Sequence, residues 1–164
     1  MKKSEFTEVI NASTEKIWKV LFTQYGDIHV HNPGMIASNY VDGNTEGALN
    51  SVRHCKFSDK LSLDEVITRV DTHKSFRVVV TTHNLPLLKH MSATYELISL
   101  GANTTEVKMT SYNSTAPGFM IHLVKGPMAK ALRKHLFGLK YYIETGKTVN
   151  AENYKAVFKD YYYN

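Results

Sequence analysis

From Pro117 to Thr145 the chain carries a pattern that only a long amphipathic helix satisfies, and such a helix requires a large apolar partner. At 100° per residue Met128, Leu132, Leu136, Leu139 and Ile143 fall in one stripe under about 100° wide, with Ala131 and His135 at its edge. Lys130, Arg133, Lys134, Lys140 and Glu144 take the opposite side and are expected to meet solvent. Gly126-Pro127 interrupts the pattern, because Pro127 cannot donate to the Leu123 carbonyl and its ring crowds that turn, a defect of ~3 kcal/mol. The sequence therefore predicts a bend there, or a short helix leading into a long one with Pro127 in its first turn.

Everything before this helix reads as the surface it packs on. Residues 5–11 alternate weakly and predict a first strand. Ser13 is then a helix N-cap with Glu15 in the first turn, and Ile17, Trp18, Val20, Leu21 and Phe22 supply a buried face to about Thr23. A further short helix over 27–32 stops before Pro33-Gly34. Residues 35–41, 51–57, 61–71, 75–83, 90–99 and 104–113 follow as strands without a helical period. Asp42-Gly43-Asn44, Ser58-Asp59-Lys60, Thr72-His73-Lys74 and Gly101-Ala102-Asn103 have hairpin lengths and residue types, so the strands form an antiparallel meander.

Alternation assigns the faces. Val107 and Met109 share a side with Met91, Ala93, Tyr95 and Leu97, and by the same parity Phe76, Val78, Val80, Cys55 and Phe57 point inward, with Arg53 ahead of them. In the run 61–71, Leu63 and Ile67 set the phase and leave Glu65 in the inward row. A buried carboxylate without a partner is costly, so Glu65 is expected either to pair with a cation such as Arg53 or to keep its proton.

Composition narrows the functional classes. At 164 residues the chain is long enough for one domain burying about 70% of its unfolded surface. The lone Cys55 excludes an intramolecular disulfide and Cys-rich zinc motifs. No signal-peptide pattern and no run of ~20 apolar residues occurs, which predicts a cytoplasmic protein without stable membrane insertion. The net charge of +5 comes from scattered Lys and Arg rather than a basic run, so no nucleic-acid partner is expected. His29 and His31 stand i, i+2 and HExxH is absent, so the eight histidines read as surface residues and no metal is expected. No Gly-rich phosphate loop follows a strand, and no cofactor is expected. Cys55 reads as an inert thiol, since His54 points to the other face of its strand.

The stretches NASTEKIWKVL (Asn11 to Leu21), HNPGM, GALNSVR (Gly47 to Arg53), EVITRVD (Glu65 to Asp71) and LKYYIE (Leu139 to Glu144), in that order and spacing, resemble the START-like or SRPBCC superfamily. The bacterial polyketide cyclase/dehydrase-like branch is the nearest in style, and the resemblance spans about residues 3–146. It implies an α+β helix-grip fold, a curved seven-stranded antiparallel sheet around the long C-terminal helix with two short helices between strands one and two. Residues 147–164 form a C-terminal extension outside the resemblance, polar and aromatic, whose placement the sequence leaves open.

The resemblance also implies an elongated apolar cavity between sheet and helix. With the faces assigned above, its expected lining is Arg53, Cys55, Phe57, Glu65, Ile67, Phe76, Val78, Met91, Ala93, Tyr95 and Met109 from the sheet, and Phe119, Leu123 and Met128 from the helix. In the abscisic acid receptors of this superfamily two connections act as gate and latch. Here Ser58-Asp59-Lys60 is too short for the gate, while His83 to Lys89 carries three leucines that suit an entrance cover or core packing. The first reading is a monomeric or homodimeric binding or carrier protein for a small hydrophobic ligand: lipid, isoprenoid, quinone or aromatic polyketide. The alternatives are a cyclase or dehydratase with Glu65 as acid/base and Tyr95 or Arg53 polarising a carbonyl, and an interaction module using Leu85 to Leu88, outward-phased Phe137 and the tyrosine-rich tail.

Overall fold

The computed structural model describes residues 1–41 and 43–163; Asp42, in an expected turn, and Asn164, at the end of the tail, lie outside the described residues. Seven strands run β1 (Lys2–Ile10), β2 (Ala37–Tyr40), β3 (Val52–Ser58), β4 (Leu61–Asp71), β5 (Ser75–His83), β6 (Leu88–Gly101) and β7 (Thr104–Thr115). They form one antiparallel sheet in the order β1-β7-β6-β5-β4-β3-β2. The meander read from the short links is therefore present, closed on one side by the first strand pairing with the last.

Most of the expected inner row is buried. Cys55, Ile67, Phe76, Val78, Ala93, Tyr95, Leu97, Val107 and Met109 all lie in the interior. On the outer face Lys108 reaches Glu5 and Glu96 at 3.4 and 3.6 Å, an ion-pair ladder across β1, β7 and β6. These exposed pairs add little stability, but they mark the solvent side of the pleat.

Helix α1 (Thr14–Trp18) begins at Ser13, whose Oγ accepts from the Lys16 amide at 3.3 Å. The chain then widens into a π-helical turn over Lys19–Thr23 and tightens into a 3-10 segment over Tyr25–Val30. This unit caps one end of the concave sheet. Trp18 stacks on Phe22, and both meet Phe76 edge-on at 5.8 and 5.4 Å between ring centroids.

The long helix α2 (Ile121–Thr145) follows a 3-10 turn at Gly118–Met120 and packs chiefly on β1 and β7. Leu136, Leu139 and Ile143 of the predicted stripe are buried, while Met128 and Leu132 are half-buried. Of the two expectations for Pro127, the separate long helix with Pro127 in its first turn is not found; Pro127 lies well inside α2. Two local features reduce the cost. Gly126 has no Cβ to collide with the proline ring, and Leu123 is exposed, which leaves the carbonyl deprived of its donor within reach of water.

The solvent face assigned to α2 also needs correction. Residues His135 to Lys140 are all buried, so this part of the helix is covered on every side. The cover is α3 (Tyr154–Tyr163), formed by the tail. Outward-phased Phe137 sits beneath it, 2% exposed, with Tyr154, Phe158, Tyr161 and Tyr162 at 4.9 to 5.7 Å. Lys140, expected in solvent, is buried with its Nζ hydrogen-bonded to the Val9 carbonyl and 3.1 Å from Glu144 Oε1. Glu144 is likewise largely covered and accepts from the Asn11 amide at 2.7 Å and from the Tyr161 hydroxyl. On the opposite side of α2 a Cβ at Gly138 would stand 2.2 Å from the His31 carbonyl oxygen, so the close approach of the His31–Pro33 turn requires glycine there. No described helix is long and apolar enough to cross a membrane.

Candidate functional site

The inward carboxylate has its cation. Glu65 Oε2 accepts from Arg53 Nε at 2.9 Å and Nη2 at 2.6 Å, with the two residues directly opposite each other in the β3–β4 register. Arg53 Nη1 donates to the Tyr25 carbonyl at 2.9 Å, and the guanidinium lies 3.9 Å from the Tyr25 ring centroid. The Tyr25 hydroxyl returns a bond to the Glu65 carbonyl at 3.1 Å. Both charged side chains are buried, so three donor contacts and a ring face satisfy a cation that would otherwise be costly there.

A second polar group lies beside it. Tyr95, stacked 4.9 Å from Phe76, shares a 3.2 Å hydrogen bond with His135 Nε2 of α2. The His135 ring stacks 5.5 Å from His31, which also faces Tyr142. The expectation of surface histidines fails for both. Burial, aided by the Arg53 charge, lowers the His135 pKa to about 3, and burial with the neighbouring His135 holds His31 well below its ordinary value. Both rings are neutral at pH 7, and each has a buried Nδ1 without a hydrogen-bond partner. His29, two residues before His31, turns away to Ser38 Oγ at 2.8 Å. Cys55 is fully buried, and burial pushes its thiol up to about 12 despite Arg53 nearby, while His54 pairs with Asp64 across the outer face at 2.6 Å.

The sequence-predicted lining divides into three groups. Arg53, Cys55, Glu65, Ile67, Phe76, Val78, Ala93, Tyr95 and Met109 come together on the concave face and are buried. Phe57 and Met91 share that face, half-buried. The helix residues part company: Met128 is half-buried beside β1 and β7, in a cleft with only about 10 Å³ of free space, while Phe119 and Leu123 are 70% and 66% exposed.

On the helix face that carries buried His135, Ala131 one turn earlier is exposed, while Met128, Ala129 and Leu132 stay packed toward β1 and β7. Phe57, Val80 and Met91 keep part of their surface open, and Leu85 from the β5–β6 connection joins Met35, Phe57 and Val80 against a small buried cluster of Ile28, Cys55 and Leu63. Asn113, opposite Met91 in the register, donates through Nδ2 to Ser111 Oγ at 2.8 Å but leaves a buried Oδ1 without a donor. Sequence reasoning missed Asn113 and His135. Asn113 is in phase with Val107 and Met109, so parity alone could have found it; the meeting of His135 with His31 had no local signal.

The described residues contain no cluster of three metal-ligating side chains. No family model and no curated protein matches the sequence. Solved structures do match in fold. Ara h 8.0201 superposes with a TM-score of 0.71 at 13% identity, covering 88% of this chain and 98% of that one. The Zhui aromatase/cyclase from Streptomyces sp. R1128 gives 0.68 at 14%, covering 90% and 99%. The di-domain ARO/CYC BexL gives 0.68 at 13%, covering 88% of this chain and 47% of the di-domain.

Proposed function

We propose that this chain, which has the helix-grip fold of the START-like or SRPBCC superfamily, is a binding or carrier protein for a small, mainly apolar molecule held on the concave face of its sheet. The observation that carries the reading is the apolar end of that face, where Phe57, Val80 and Met91 are only half-buried. Covering about 300 Å² of apolar ligand surface contributes on the order of 7 kcal/mol gross. The Asn113 Oδ1 beside Met91 is an acceptor awaiting a donor, which favours a ligand carrying a hydroxyl. That two of the similar folds are aromatase/cyclases and one is a pollen-allergen-type protein is compatible with an aromatic polyketide, isoprenoid, quinone or lipid.

The pairing of Glu65 favours binding over catalysis. Its Oε2 is occupied by two Arg53 donors, which commits the carboxylate to a buried structural pair. Arg53 and Glu65 then lie beneath the site as a structural pair, and Tyr95 and His135 form its inner wall. The test is titration with farnesol and a hydroxynaphthoquinone, alongside native mass spectrometry of protein purified from its host. Micromolar binding is expected, lost in Met91→Trp and weakened in Asn113→Leu, with Glu65→Gln nearly without effect. Unchanged affinity in Met91→Trp would remove the site from the concave face, and turnover of a poly-ketone abolished in Glu65→Gln would replace the carrier reading with the enzymatic one.

A further inference from the structure

A different groove opens on the far side of α2. It lies between β1, α2 and the tail helix α3 and encloses about 580 Å³, within the range of small-molecule sites. Phe6, Leu136 and Phe158 supply apolar floor. One wall is cationic. Lys130, Arg133 and Lys134 project from successive turns of α2, and among the described residues none of the three has a carboxylate within ion-pair distance. Two of them rest on rings: the Arg133 guanidinium lies 5.6 Å from the Phe6 centroid and Lys134 Nζ lies 4.7 Å from that of Tyr154. The opposing carboxylates are already engaged. Glu5 meets Lys3 at 3.0 Å and Lys108 at 3.4 Å, and Glu8 meets Lys140 at 3.9 Å and the Tyr162 hydroxyl at 3.4 Å.

We infer that this groove binds an anionic amphiphile, a carboxylate or phosphate on an apolar body, with the head group on Lys130, Arg133 and Lys134 and the body on Phe6, Leu136 and Phe158. Charge complementarity selects the head: three cations facing an apolar floor without counter-ions form an anion site that a neutral ligand leaves unpaired. Arg133 and Lys134 are already drawn over aromatic rings, which limits the ordering needed when the anion arrives. Because Tyr154, Phe158 and Tyr162 furnish one bank, the site exists only with the C-terminal extension in place. It shares no lining residue with the concave face described above.

Calorimetric titration of the full chain with dodecanoate, dodecyl phosphate and dodecanol, each below its micelle-forming concentration, tests the inference. Both anions are expected to bind at least tenfold more tightly than the alcohol, with an affinity that falls as salt rises; the tighter of the two identifies the head group. Arg133→Gln with Lys134→Gln, on accessible side chains, should weaken the anions at least tenfold and leave dodecanol unchanged, and the double charge reversal to Glu should weaken them further. Met91→Trp should leave the anion affinity intact. Equal binding of alcohol and anions, undiminished anion affinity in both double variants, loss of anion binding in Met91→Trp, or binding to anionic vesicles without binding of monomeric dodecanoate would each overturn it.

Discussion

Replacing Glu65 by Leu isolates the Arg53–Glu65 pair, because the Tyr25 hydroxyl bonds to the Glu65 backbone carbonyl and keeps its partner in the variant. What is lost is the acceptor of two guanidinium N–H groups at 2.9 and 2.6 Å, on a cation only 3% exposed. Arg53 keeps its bond to the Tyr25 carbonyl and its place over the Tyr25 ring, so the charge is partly solvated and not orphaned. Breaking a buried pair from one side costs about 3–5 kcal/mol, which for a chain of this length lowers the thermal midpoint by about 6–20 °C. Removing both charges at once, as Arg53→Met with Glu65→Leu, leaves no buried ion and is expected to return within about 1 kcal/mol of the original stability. Urea unfolding of the two single variants and the double variant gives the coupling energy directly. A double variant as unstable as Glu65→Leu alone, or a single-variant cost under about 1 kcal/mol, would refute the claim that the pair satisfies a buried cation.

The buried histidines predict acid sensitivity. His31 and His135 are held neutral in the fold but take up protons near pH 6.5 when unfolded, so their contribution is present above that pH and is lost as pH falls toward the depressed folded values. Each should cost about 2 kcal/mol of stability by pH 5 relative to pH 8, and His31→Phe should remove about half of that loss in urea midpoints measured at the two pH values; an unchanged slope would contradict it. Gly138→Ala, a change that in an open helix stabilises by about 1 kcal/mol, should here lower stability by about 1–2 kcal/mol because its Cβ meets the His31 carbonyl oxygen and Pro33 Cδ at 2.2 and 2.8 Å; a raised thermal midpoint would show that the turn yields freely. Phe137→Ala should cost about 3–5 kcal/mol and speed proteolysis within residues 147–153, since the ring is the common contact of four aromatic side chains on α3.

The sheet was legible in the sequence because its physics is local. Alternation in Met91 to Leu97 and in Val107 to Met109 fixes which face is apolar, and a carboxylate appearing in that phase at Glu65 calls for either a cation in the same row or a retained proton, of which the fold supplies the cation. The misreadings fall on α2, where burial depends on partners far along the chain. Lys140 and Phe137 lie off the apolar stripe, and only the tail helix and the edge of β1 turn those positions inward. His31 and His135 behave the same way, since nothing near either residue in sequence announces the other. For the helix end of the expected cavity, Phe119 and Leu123 follow the helical period, but Phe119 falls in the 3-10 turn before α2 and both side chains are exposed, while Ile121 and Met128 are the ones that face β1 and β7.

The contact of Lys140 with Val9 bears on how the molecule behaves in a crowded solution. In the sheet order β1 is an outermost strand, with nine residues whose outward amides and carbonyls are a template for a passing extended chain. Here the last turns of α2 occupy that border: Lys140 Nζ takes the Val9 carbonyl and Glu144 takes the Asn11 amide, one residue past the strand. The other border, β2, is only four residues long. A foreign strand approaching β1 at its C-terminal end therefore finds its hydrogen-bonding positions filled by a lysine and a glutamate, so the same two residues that anchor the helix also guard the sheet against fibrous self-association.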